Sequence, residues 1–280
     1  MSLRKACALF GVSSSVYYHR AESDPIDEQV RLAIEQVLVK GATWGFWRIF
    51  HRLRAKDHRW NHKRVYRIYK TMRLNLRRSY RRRLPARIKQ PLLQPLHPNM
   101  TWSMDFMSDS LSNGRTFRTF NLVDDYNREA LNVTIDTSIT SKRVVRELEK
   151  VVGWRGLPER LRVDNGPEFI AQALETWCED NSVELQFIAR GKPSQNAYVE
   201  RFNRTYRQEV LDHHAFDSLY QVRQITVDWI QVYNHERPHE GIGNDTPYGF
   251  LCKRIGHNHF PTLGIDRHQS LLYTFNRVAV

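Results

Sequence analysis

Cysteine is scarce in this chain. Its 280 residues hold three, Cys7, Cys178 and Cys252, in no paired spacing. An odd, scattered set argues against a disulfide framework and fits a reducing, cytoplasmic compartment. Zinc-ligand spacing is lacking as well, since Cys252, His257 and His259 are neighbours in sequence but match no zinc pattern. No stretch of about 18 apolar residues occurs, which argues against a membrane-spanning helix. The opening MSLRKACALFGVSSS is too broken for a signal peptide. Internal repeats and low-complexity segments do not occur either. What the chain does have is core-forming material: 41% hydrophobic residues, with seven Trp, 13 Phe and 12 Tyr, which argues against disorder.

Acidic residues are missing from one end. Residues 1–90 hold 22 Lys and Arg against 6 Asp and Glu, a net of +16, while the remainder nets −3. Such asymmetry points to a polyanion-binding module joined to something else.

Several segments can be read in order. Residues 1–20 read as part of a helix-turn-helix. Ala6, Leu9 and Phe10 share one helical face, Gly11 ends that helix, and Ser13 or Ser14 caps a second carrying Val16 and Tyr17. Residues 26–83 read as a basic helical DNA-binding domain. Val30, Ile34, Val37 and Leu38 are at helical spacing, TWGFWRIFHRL (43–53) follows, and Asn61 caps a third helix. That helix turns Val65, Ile68, Tyr69 and Met72 inward and Lys63, Arg64, Arg67 and Lys70 outward, a face suited to DNA phosphates. RRSYRRR (77–83) adds to the charge. Residues 84–100 carry four of the 11 prolines and read as an extended linker.

From Thr101 the periodicity changes. Strands are predicted at 101–107, 116–125 and 130–136, with Asn113-Gly114 as the turn between the first two. A helix at 138–154, a strand at 160–166, a helix around 174–179, a strand at 183–189 and a long helix at 196–211 follow. The expected fold is α/β, one mixed five-stranded sheet flanked by helices, preceded by an all-α region.

Three acids stand out. Asp105 interrupts an otherwise mostly apolar strand, an arrangement that is costly unless the carboxylate is paired or binds a cation. Asp164 ends the fourth strand, where active-site groups are common. Glu200 is the lone acid between Arg190 and Gln208. On its helix Tyr198, Phe202 and Tyr206 form one face, and Glu200 shares another with Asn196, Asn203, Arg204 and Arg207. Each acid has an ordinary alternative: Asp164-Asn165-Gly166 is a common turn, Glu200 can pair with Arg204, and Asp124 and Asp125 compete with Asp105 as strand-end acids. Together the three can converge at one end of the sheet, where clustered oxygens suit hard divalent cations acting on a phosphodiester.

Asp105, Asp164 and Glu200 also fit a D, D-35-E pattern, with 35 residues between the last two. The blocks WSMDFMSD, GRTFRTFNLVDDYNREAL, RVDNGPEF, GKPSQNAYVERFNRTYRQEVLD and YNHERPHEGIGNDTP, in that order, resemble insertion-sequence DDE transposases of the B-frame type, which carry a retroviral-integrase-like core. The first third, notably TWGFWRI and the basic helix after it, is similar to that family's helix-turn-helix region. The resemblance spans residues 3–250. It implies an RNase H-like catalytic core, here residues 101–250, with Asp105, Asp164 and Glu200 as catalytic ligands of Mg²⁺ or Mn²⁺. It implies cleavage of element ends and strand transfer through the exposed 3′-OH. The implied partners are double-stranded DNA (terminal inverted repeats and target), further copies of the chain on that DNA, and an upstream-frame product. The implied location is the bacterial cytoplasm, at the nucleoid. Lys192, Gln195, Asn196 and Arg204 are candidate DNA contacts. Asn165 and Gly166 are expected to shape the loop. A catalytically idle DNA-binding regulator and a plain RNase H-like nuclease are the competing readings. Residues 255–280 match no motif, and the tail from 251 is left without a role.

Overall fold

A computed structural model describes residues 2–18, 24–75, 92, 94–166, 169–189 and 193–255. The chain divides into two units, residues 1–39 with 45–76, and residues 40–44 with 77–280.

The first unit is helical: α1 (Leu3–Leu9), α2 (Ser14–Tyr18), α3 (Pro25–Leu38), α4 (Phe46–Ala55) and α5 (His62–Thr71). Gly11 turns the chain between α1 and α2 at φ +62°, a region costly for residues with a side chain. Ser13 Oγ accepts from the Val16 N–H at 3.3 Å. The face expected to point inward from α1 does not: Leu9 and Phe10 are 73% and 80% exposed, and Cys7 is buried instead. Helices of seven and five residues offer too little surface to cover each other.

The next three helices follow their sequence signals. Asp24 caps α3 by accepting from the Ile26 N–H at 2.9 Å, with Pro25 in the first turn. Asn61 caps α5 through the Lys63 N–H at 2.9 Å. Val30, Ile34, Val37, Ile49, Leu53, Val65, Ile68 and Tyr69 are buried between them. The outer face of α5 differs from expectation. Lys63 and Lys70 are exposed. Arg64 pairs with Asp24 and Asp27, and Arg67 with Asp27 at 2.6 Å. The periodicity of one helix does not reveal acids 40 residues upstream on another, so part of the basic face is neutralised within the unit.

The second unit contains β1 (Trp102–Ser110), β2 (Thr116–Asp124), β3 (Ala130–Asp136), α6 (Ser141–Arg155), β4 (Arg160–Val163), α7 (Gln172–Asp180), β5 (Glu184–Phe187), α8 (Ala197–Glu209), α9 (Leu219–His235) and α10 (Pro247–Ile255). The sheet order is β3-β2-β1-β4-β5. The first three strands form an antiparallel meander, and β4 and β5 run parallel to β1. This is the mixed five-stranded sheet expected of an RNase H-like core. Gly114, at φ +82°, supplies the turn after β1.

Strand alternation assigns the faces. Trp102 and Met104 of β1, with Leu161 and Val163 of β4, pack under Val144, Leu148 and Val151 of α6 and Leu174 and Trp177 of α7. The intervening residues face the other way, toward α8 and α9. There Phe202 and Tyr206 of α8 meet Trp229 of α9 at ring separations of 5.6 and 5.2 Å. Val199, rather than the expected Tyr198, completes the buried stripe of α8, since 199, 202 and 206 at i, i+3 and i+7 share a face as well as 198, 202 and 206 do. Tyr198 is instead covered by the Arg128 guanidinium, 3.4 Å from its ring centre. Helices α9 and α10 were not anticipated; residues 256–280 lie outside the described residues, as do RRSYRRR and most of the proline-rich linker. Among the described residues no helix is long and apolar enough to cross a membrane.

Candidate active site

Asp105 is carried on the central strand, on the face opposite Met104 and therefore toward α8. The parallel pairing of β1 with β4 matches Trp102 to Leu161 and Ser103 to Arg162. Continued two residues, it sets Asp164 beside Asp105 and on the same face. Asp164 stands just past β4, its Oδ1 accepting from the Gly166 N–H at 3.0 Å. The ordinary turn reading is thus realised too, and Asn165 ties the loop to β5 by donating to the Ile188 carbonyl at 2.9 Å. Glu200 lies in the first turn of α8.

The other two carboxylates act on Asp105. Burial pushes the Asp105 carboxyl up to about 6, and the negative charges of Asp164 and Glu200 add to it. Hydrogen bonds from the Phe106 N–H at 2.8 Å and from Asn203 Nδ2 at 2.7 Å work in the opposite direction. Burial also raises Glu200, against the nearby Arg204. Asp124 and Asp125 do not compete for this site. They sit where β2 passes the start of β1, held by Arg155 at 3.2 Å and Arg162 at 2.6 Å.

The burial of Asp105 makes stability depend on pH. Its ordinary value is 3.8 and the folded value is about 6. Its contribution to folding is therefore fully present below pH 3.8 and lost as pH rises through about 6. Asp105→Asn removes that loss. That rise is worth roughly 3 kcal/mol, less about 1 kcal/mol for one hydrogen bond that a single amide oxygen no longer accepts. In chelator, Asp105→Asn is expected to melt higher than wild type at pH 7.5, with the difference shrinking toward pH 4. A difference that does not change with pH would contradict this electrostatic account.

Other site residues expected from sequence are distributed differently. Asn196 is buried, and its Nδ2 donates to the Met104 carbonyl at 3.3 Å, so it anchors the start of α8 to β1 rather than facing solvent. Gln195 Oε1 accepts from the Ala189 N–H at 2.7 Å and fastens the same turn to the end of β5. Arg204 is exposed. Lys192 lies outside the described residues. Two residues went unassigned in the sequence: Asn121, buried on β2 opposite Asp105, and Asn203 on α8. Counting outward from a two-residue Asn113-Gly114 turn would pair Asp105 with Leu122; the observed register is shifted by one, with Ser110 opposite Thr116, so the sequence carried no signal for Asn121.

Two segments match the integrase core domain family, residues 95–193 and 181–247, and residues 25–83 match an HTH-like domain. A protein of insertion element IS407 from Burkholderia multivorans is 36% identical over 253 residues, covering 90% of this chain and 91% of the relative. A protein of insertion element IS476 from Xanthomonas euvesicatoria is 36% identical over 252 residues, covering 90% and 73%. The chain belongs to the insertion-element transposases with an integrase core. A similar fold is found in a chain of a cryoEM structure of a simian T-cell lymphotropic virus intasome in complex with PP2A regulatory subunit B56 gamma. That match has a TM-score of 0.51 at 17% identity and covers 76% of this chain and 72% of that one. The family is one of transposase-type DNA recombination.

A donor set of Asp105, Asp164 and Glu200 would suit a hard divalent cation. All three are carboxylates, and the charges of Asp164 and Glu200 add to the burial that raises Asp105, a load that a cation would relieve. Among the described residues no three His, Cys, Asp or Glu groups already stand close enough to hold an ion.

Proposed function

We propose that the chain catalyses metal-dependent cleavage of insertion-element DNA ends and their transfer to target DNA. The observation that supports this reading is that Asp105 on β1, raised mainly by burial, also feels the negative charges of Asp164, just past β4, and of Glu200 on α8. Asp105, Asp164 and Glu200 would hold Mg²⁺ or Mn²⁺. When bound, the metal would polarise the phosphodiester and stabilise the charge that develops in phosphoryl transfer.

The chain's own residues supply position. Strand β1 carries Asp105, and the turn at the end of β4 sets Asp164 beside it. Asn196 and Gln195 hold the first turn of α8, and with it Glu200, against the sheet. In the first reaction water attacks the phosphorus at the element end, the bridging P–O3′ bond breaks and a 3′-OH is freed. In the second, that 3′-OH attacks a target phosphodiester, joining element to target and releasing a target 3′-OH. Each step exchanges one phosphodiester bond and needs no covalent protein–DNA link.

The test is a labelled native element-end duplex incubated with Mg²⁺ and target DNA. Nicked and joined products are expected. Nicks without joining would instead favour a nuclease, and binding without products would favour a regulator that occupies element ends.

Duplex binding belongs to the same proposal. With the first third so basic, affinity is expected to fall on the order of 10³-fold between 50 and 200 mM salt. Lys63→Gln with Lys70→Gln should reduce the slope of log affinity against log salt by about 2, near 1 for each phosphate no longer neutralised. An affinity that barely responds to salt would refute phosphate binding by this module.

A further inference from the structure

Asn121 is fully buried in the middle of β2, opposite Asp105 in the antiparallel register. Its Nδ2 donates to Asn203 Oδ1 at 2.7 Å, and Asn203 Nδ2 donates to Asp105 Oδ2 at 2.7 Å. The chain of amides has one direction. An ionised carboxylate only accepts, so it requires the NH₂ of Asn203. That turns the Asn203 oxygen toward Asn121, which must then offer its own NH₂. The cost falls at the far end, where Asn121 Oδ1 is buried without a partner. A buried acceptor left unpaired destabilises a fold, and an apolar residue of the same size would not carry that penalty. Leucines at both 121 and 203 would avoid every one of these polar requirements, so the amide pair is not explained by packing alone.

What the arrangement achieves is orientation. Asp105 Oδ2 is held by Asn203 and Oδ1 by the Phe106 N–H. Each carboxylate oxygen keeps one further lone pair, and rotation of the group would break two short hydrogen bonds at once. Partners of metal ligands act in this way elsewhere in protein chemistry, fixing a ligand's rotamer and charge state.

We propose that Asn121 is a positioning residue that acts through Asn203 to lock the Asp105 carboxylate in one orientation for divalent-cation binding. The inference rests on the reading of Asp105 as a metal ligand. Asn121 itself touches neither metal nor DNA.

The experiment titrates Mn²⁺ into the full-length, DNA-free chain and follows free Mn²⁺ by electron paramagnetic resonance, with a thermal melt of each protein. Asn121→Leu should weaken Mn²⁺ binding about tenfold, the lower end of the range for outer-shell partners, while melting near the wild-type temperature, because it removes one unpaired acceptor and leaves another at Asn203 Oδ1. Thr119→Val is the control. Thr119 is buried two residues away on the same strand and its hydroxyl is also without a partner, so its loss should leave Mn²⁺ affinity unchanged. Asn121→Thr keeps a polar group too short to reach Asn203 and should lose affinity like Asn121→Leu; it serves as the test if the leucine variant does not fold. Wild-type affinity in either folded Asn121 variant, with Asp105→Asn impaired, overturns this inference alone. An equal loss in Thr119→Val also overturns it, because general disturbance of β2 would then suffice. No Mn²⁺ binding by wild type, or binding indifferent to Asp105→Asn, overturns the metal-ligand reading and this inference with it.

Discussion

Asp164→Asn is expected to lower metal-dependent strand cleavage by at least about a thousandfold while leaving duplex affinity within roughly twofold. The size follows from the role proposed for the residue. Stabilisation of a phosphoryl-transfer transition state by a bound cation is worth several kcal/mol, and about 4 kcal/mol corresponds to a factor of a thousand. The selectivity follows from position. Asp164 lies in the loop that ends β4, and its Oδ1 already accepts from the Gly166 N–H, a bond that an asparagine side chain can also accept. The loop should therefore keep its shape while the negative charge is lost. Cleavage and equilibrium binding measured on the same element-end duplex separate the two effects. Parallel loss of binding and cleavage would mean that Asp164 shapes the DNA surface instead.

Arg155→Ala is expected to destabilise the second unit by about 3–5 kcal/mol, a large share of the 5–15 kcal/mol typical of folded domains. The Arg155 side chain is almost wholly buried in the last turn of α6. Its Nη2 lies 3.2 Å from Asp124 Oδ2 and 3.0 Å from Glu129 Oε2, and its Nε donates to Asn99 at 3.1 Å. Removing the guanidinium leaves two acids buried without that cation. Burial already pushes the Asp124 carboxyl up, and Arg155 is the main group opposing it. The penalty should therefore shrink in acid, where Asp124 takes up a proton instead. Urea denaturation at pH 7 and pH 5 measures both quantities. A loss under about 1 kcal/mol at pH 7 would show that water reaches these acids and that the cluster is not a buried network.

Much of the fold was legible because strand alternation and helical period are local. The five strands and the helices α3 to α8 lie close to where apolar spacing puts them, and Asn61 and Gly11 mark helix ends by their own chemistry; Asp24 caps α3 in the same way but was not read from the sequence. Asp105 stood out for the same reason, as a charge in an apolar strand. What escaped depends on partners far apart in sequence. Arg64 and Arg67 read as solvent-facing until α3 brings Asp24 and Asp27 across to them. Asn196 read as a surface amide, but β1 supplies a carbonyl that draws it inward. Asn203 was placed on the Glu200 face without any sign that it joins Asn121 to Asp105. Helix α9 has a Ser218 cap and an apolar stripe that includes Val222, Trp229 and Tyr233, so its signal was present and not used. Leu9 and Phe10 show the opposite limit, because an amphipathic pattern does not reveal whether anything covers it.

The most direct test of the account is single-turnover cleavage of a native element end at saturating Mg²⁺ by wild type, Asp105→Asn, Asp164→Asn, Glu200→Gln and the triple variant. Three acids that hold the metal as one unit should give grossly non-additive losses, each single variant falling nearly as far as the triple. Cleavage near the wild-type rate in any single variant would remove that residue from the site, and losses that multiply from single to triple would contradict a shared metal centre.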